Sequence, residues 1–160
     1  MEPTIQEFYC TYLKEEGFPK SFIDEKGAVI FKCEGKTYVI HVDPDIPARF
    51  SLLLPSFWEP EDADEVHRAL TVCDEVNVTL HGVKVFCVHH DVSATVELFL
   101  SNPAEDIKDI FHPSLQVLQG AYYLFVSRMH KKQPPKAPSG GGTPVPAHTS
   151  NGVEITPGYL

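Results

Sequence analysis

The sequence predicts an α+β domain, a twisted antiparallel sheet with helices packed on it in the order α-β-β-β-α-β-β-α, followed by a flexible tail. Two observations carry this. Ala28 to Val42, reading A-V-I-F-K-C-E-G-K-T-Y-V-I-H-V, alternates with period two on both sides of a turn at Gly35. Three further stretches repeat their apolar residues at helical spacing before, between and after the strand runs. In the hairpin Val29, Phe31, Cys33, Tyr38, Ile40 and Val42 share one face, whereas Lys32, Glu34, Thr37 and His41 share the other with Ile30 and Val39. One apolar and one mixed face suit a sheet covered by helices on a single side.

Taken in order, Thr4 and Glu7 make a capping box ahead of Ile5, Phe8, Tyr9, Tyr12 and Leu13, which predicts a helix over about residues 3–16 stopped by Gly17. A short strand around residues 21–24 can precede the hairpin. Asp43, Pro44, Asp45, Ile46 and Pro47 form a turn-rich loop. Residues 49–54 read as a third strand with Phe50, Leu52 and Leu54 on one face, ended by Pro55, so that Phe57 and Trp58 fall in a proline-bounded connection. Pro60 and the acidic residues Glu61, Asp62, Asp64 and Glu65 predict a second helix start, with Val66, Ala69, Leu70, Cys73 and Val76 as its stripe, ending near Val76. After His81-Gly82, residues 83–89 and 94–100 read as a second hairpin separated by residues 91–93. Asn102 and Pro103 open a third helix whose stripe runs from Ile107 to Met129, kinked or divided at Pro113.

From Gln133 the composition turns to Pro, Gly, Ser and Thr, which cannot bury enough apolar surface to offset ordering entropy. The domain is therefore assigned to residues 1–132 and a tail or linker to residues 133–160. The tail reads either as carrying a recognition strand at residues 152–156 for an exposed sheet edge or as an addition to the native gene.

The 160 residues suit one domain, and 42% hydrophobic with 22% charged residues is ordinary for a soluble globular protein. Thirteen basic against 22 acidic residues leave a formal charge of -9, which disfavours nucleic acid and acidic membrane surfaces. No apolar run approaches the roughly 18 residues of a membrane span, and residues 1–7 lack the pattern of a signal peptide. The expectation is a cytoplasmic protein in which Cys10, Cys33, Cys73 and Cys87 are small core residues.

With the passage from Ala69-Leu70 to Asn77-Val78 leading into residues 83–88, the order of elements over residues 1–132 resembles the YbjN family and the wider group of type III secretion chaperone-like domains. The resemblance implies an α+β fold, frequent dimerisation, and a role in holding another polypeptide rather than in catalysis. Members are typically small, acidic and cytoplasmic.

Reactive chemistry finds little support in the sequence. His89-His90-Asp91 is the densest candidate for zinc, but adjacent strand residues face opposite ways and no ligand spacing accompanies them, so a strand-end or turn role is the favoured reading. Cys87 and His89 share a strand face, yet Cys87 lies in an apolar run that suits a structural thiol better than a nucleophile. No catalytic residue, metal site or cofactor is assigned. Phe57 and Trp58 are efficient anchors, large and poor in rotors, or else cover the end of the core. With Leu52, Leu54 and Phe99 they make the expected partner-binding set, and Val66, Leu70 and Cys73 the expected homodimer interface. The expected function is a non-enzymatic, chaperone-like or adaptor module holding a polypeptide by apolar patches or a sheet edge. The rival is a regulatory or immunity-type protein that binds one folded partner through its acidic surface.

Overall fold

The computed structural model describes residues 3–131, so the tail assigned to residues 133–160, including residues 152–156, lies outside the described residues. The opening helix, α1 (Ile5–Glu15), begins as the capping box dictates: the Glu7 N–H donates to Thr4 Oγ1 at 3.2 Å and the Thr4 N–H to Glu7 Oε2 at 2.8 Å. It leads into β1 (Phe22–Ile23), β2 (Val29–Cys33), β3 (Lys36–His41) and β4 (Arg49–Trp58). Then come α2 (Ala63–Thr79), β5 (Lys84–Val88), β6 (Asp91–Phe99) and α3 (Pro103–His130). Among the described residues the strands form one antiparallel sheet in the order β1-β2-β3-β4-β6-β5, which makes the fold α+β.

The first hairpin keeps the predicted faces, and its register sets Val29 opposite Ile40 and Phe31 opposite Tyr38. Glu34 and Gly35 have φ of 49° and 74°, the left-handed pair of a type I′ turn, whose twist matches that of the flanking strands. The strand-end or turn role expected of His89 and His90 holds, whereas the separation expected at residues 91–93 does not. Asp91 and Ser93 belong to β6, and the two loop residues are His89 and His90, with φ of 51° and 79°. Turning there sets Val85 against Ala94 and Cys87 against Val92, so the apolar residues share the helix-facing side; histidine also enters the left-handed region more readily than most residues.

Pro55 does not end β4. The register slips between Leu54, opposite Ala94, and Trp58, opposite Val92, so a bulge absorbs the proline. Within it Ser56 takes φ 42° and donates its N–H to Ser93 Oγ at 2.9 Å. Phe57 is thus carried by the bulge and Trp58 by the strand beyond it, rather than by a connecting loop. Pro60 lies ahead of α2 rather than at its first position; Asp62 caps the helix, accepting the Glu65 N–H at 2.8 Å, and the helix runs a turn past Val76. Near its end Asn77 bonds both the N–H and the C=O of Val85, at 2.8 and 2.9 Å, which fastens β5 to α2. Pro113 lies exposed inside α3 without dividing it, because Phe111, Ser114 and Leu115 on either side are buried. Asn102 precedes α3 but its side chain makes no cap bond.

All three helices cover one side of the sheet. Phe18, Phe31 and Phe111 meet with ring centroids 5.0 to 5.9 Å apart, while Tyr9 meets Phe50 and Tyr12 meets Phe111 edge-on. Leu52, Leu54, Val92, Ala94 and Val96 continue this core beneath α2 and α3. The opposite side of the sheet carries no helix among the described residues.

Candidate partner-binding surface

Strand alternation decides what the uncovered face presents. The registers Phe22 to Ile30, Ile30 to Val39, Val39 to Leu53 and Leu53 to Thr95 place these residues in one row across β1, β2, β3, β4 and β6. Phe22 is exposed, and Ile30, Val39 and Leu53 are half-buried only by their neighbours on the sheet. Thr95 and Ser51 are small and sunk between larger side chains, Thr95 Oγ1 donating to the Leu52 carbonyl at 3.3 Å. Phe99, 78% exposed, stands on the same face opposite Arg49. The polar residues there carry both signs, with Lys84 and Glu97 paired at 3.1 Å and His41 and Lys32 exposed. The surface is an apolar row with a charged border, and a shallow floor at β4 and β6.

The sequence-assigned partner set divides on this geometry. Phe99 is at the surface. Leu52 and Leu54 are 0% and 2% exposed and point under the helices, so as core residues they are not available to a partner. The reason is simple alternation: on β4 Leu53, between them, is the one facing out. Phe57 and Trp58 are half-buried against α3. Phe57 meets Tyr122 and Phe125 at 5.6 and 5.4 Å, and Trp58 meets Phe125 and His130 at 5.8 and 5.6 Å. The Trp58 Nε1–H donates to Glu65 Oε1 at 3.1 Å, which ties β4 to the first turn of α2.

Of the residues assigned to a dimer interface, Leu70 is 51% exposed and Val66 half-buried, whereas Cys73 is buried inward. Its Sγ lies 3.9 Å from that of Cys87, and burial together with the neighbouring thiol pushes its pKa up to about 12. Cys73 therefore does not contribute to an outer surface. Cys87 faces this thiol, His41 sits on the open face, and His89 and His90 form the β5–β6 turn, so the groups weighed for chemistry are dispersed. Among the described residues no group of three or more His, Cys, Asp or Glu side chains is placed to hold a metal, and no helix is long and apolar enough to cross a membrane.

The row through Phe22, Ile30, Val39 and Leu53 was not singled out by sequence reasoning. Its members were visible as apolar residues on mixed faces, but only the register of four strands makes them neighbours. Comparison of the chain with protein-family models, curated proteins and solved structures finds no match.

Proposed function

We propose that this domain is a non-enzymatic polypeptide-binding module, chaperone-like or adaptor, that holds a partner segment on the uncovered sheet face. The observation that carries the proposal is the apolar row Phe22, Ile30, Val39 and Leu53, with Phe99 beside it, on a face that no helix covers among the described residues. A flat apolar strip bordered by charge suits an extended or helical segment that buries its apolar side there. The helix and strand order that resembles the YbjN and secretion chaperone-like domains points the same way. Self-association through Val66 and Leu70 on α2 belongs to the proposal, as does a reducing, cytoplasmic setting for four free thiols.

The test compares the wild-type chain with Val39→Lys/Phe99→Ser, purified gently and weighed by native mass spectrometry. Loss of a retained polypeptide with unchanged thermal unfolding supports the proposal. A variant that keeps its partner at wild-type stoichiometry refutes it.

A second reading rests on the exposed acidic residues Glu59, Glu61, Asp62 and Asp64 before and at the start of α2. It makes the domain a regulator or immunity-type protein that binds one basic folded partner. Two of these residues already serve the helix start, since Asp62 accepts the Glu65 N–H and Glu61 donates its N–H to Glu65 Oε2. Binding that weakens steeply with added salt would favour the acidic surface; salt-tolerant binding favours the apolar row.

A further inference from the structure

Between the α1–β1 loop and β2 lies a cleft of about 430 Å³, walled by Phe18, Pro19, Phe22 and Ile30 and edged by Lys20 and Lys32. It exists because β1 is only two residues long. The Ser21 N–H turns back to the Phe18 carbonyl at 3.0 Å, which carries the chain away from β2 after the Phe22–Ile30 pair. The direction of the β2 backbone follows from Ala28, whose N–H donates to Asp24 Oδ1 and whose carbonyl accepts the Asp24 N–H. Both groups of Ala28 thus face the β1 side, and by alternation so do those of Ile30 and Lys32. Ile30 pairs with Phe22. Lys32 has no backbone partner on that side among the described residues, leaving a main-chain N–H and C=O at the cleft.

The charge of the cleft is opposite to that of the chain. No Asp or Glu lines it, although acidic residues outnumber basic ones 22 to 13 in the sequence. Lys20 and Lys32 are exposed and neither is in an ion pair among the described residues. A free main-chain donor, two ammonium groups and an aromatic wall together select a carboxylate attached to an apolar group.

We propose that this cleft binds the C-terminal carboxylate of a partner polypeptide ending in an apolar residue. The carboxylate accepts the Lys32 N–H and pairs with the ammonium groups of Lys20 and Lys32, and the terminal side chain lies against Phe18, Phe22 and Ile30. Capture of a chain terminus by main-chain donors is an established mode of peptide recognition. The inference rests on the polypeptide-binding proposal, to which it adds a position and a polarity for the partner.

The test is a titration of the full chain, followed by backbone amide resonances, with acetyl-Ser-Gly-Ser-Val-Phe as the free acid, the same peptide as the C-terminal amide, and octanoate. The expected result is that the free acid shifts the amides of Ser21, Phe22 and Lys32 and binds about tenfold tighter than the amide, the worth of a charge-assisted hydrogen bond. Lys20→Glu/Lys32→Glu, at two exposed positions, should abolish that preference. Equal binding of acid and amide overturns the inference, as do shifts confined to Val39 and Leu53, and the latter leaves the polypeptide-binding proposal standing. Octanoate binding as tightly as the free acid overturns the assignment to a polypeptide terminus. Val39→Lys/Phe99→Ser changes no residue of the cleft, so the two proposals fail separately.

Discussion

Trp58→Ala should destabilise the domain rather than strip it of a binding anchor. Complete burial of a Phe or Trp is worth about 3–5 kcal/mol against alanine. Trp58 is half-buried, so its packing on Phe125 and His130 corresponds to about 2 kcal/mol. The bond from Nε1 to Glu65 adds about 1 kcal/mol, for a total of about 3 kcal/mol. Trp58→Phe keeps a ring against Phe125 and should lose about 1 kcal/mol. Because Trp58 is the only tryptophan, unfolding is best followed in urea by far-UV circular dichroism rather than by fluorescence. At about 4 °C per kcal/mol for a domain of this size, Trp58→Ala should melt about 12 °C below wild type. If it unfolds within about 0.5 kcal/mol of wild type while partner capture is lost, the assignment of Trp58 to the fold is wrong.

Leu52→Ala should cost about 2–5 kcal/mol in the same urea assay, as expected of a core position, whereas Phe99→Ser should stay within about 0.5 kcal/mol. His89→Asn/His90→Gly should raise stability by about 1–2 kcal/mol, since Asn-Gly fits a type I′ turn that two histidines occupy under strain; a lower melting temperature would mean the imidazoles contribute something the turn geometry does not explain. Burial pushes the phenols of Tyr9 and Tyr38 up to about 12, while the unfolded chain releases such protons near pH 10. The folded state therefore holds protons that the unfolded state gives up, and stability present below about pH 10 should fall as pH rises towards about 12. Phenolate absorbance should show Tyr9 and Tyr38 keeping their protons until the domain unfolds, and their titration near pH 10 in the folded protein would count against their burial.

What the sequence made legible was local. Thr4 and Glu7 placed the start of α1, and period-two alternation around Gly35 placed both strands of the first hairpin on the correct faces. Its misses came where a tertiary contact outweighed a local rule. Pro55 reads as a strand end because it cannot donate to a ladder, yet a bulge held by the Ser56–Ser93 bond carries β4 past it. Asp91 and Ser93 read as turn residues on propensity. The closed face instead requires Val92 and Ala94 to lie opposite Cys87 and Val85, and that register leaves only His89 and His90 for the loop. Pro113 costs α3 a hydrogen bond, but the burial of Phe111 and Leu115 holds the helix through it.

The candidate surface was less legible for a related reason. A large aromatic near prolines looks like an anchor in one dimension, and Phe57 and Trp58 turn out to fill the junction between β4 and α3. Leu52, Leu53 and Leu54 are chemically alike, and strand parity alone decides that the middle one faces out. Ile30 and Val39 were recognisable as apolar residues on a mixed face, but their meaning depends on Phe22 and Leu53 standing in the same row, which follows from inter-strand register and not from spacing along the chain. The Lys20 and Lys32 cleft is further still from local pattern, because it results from pairing that stops: a strand two residues long leaves the next main-chain N–H of β2 facing the cleft. A surface formed by register and by interrupted pairing becomes visible only when strands are aligned. The most informative residues of this chain are therefore apolar or basic side chains on faces that no helix covers among the described residues.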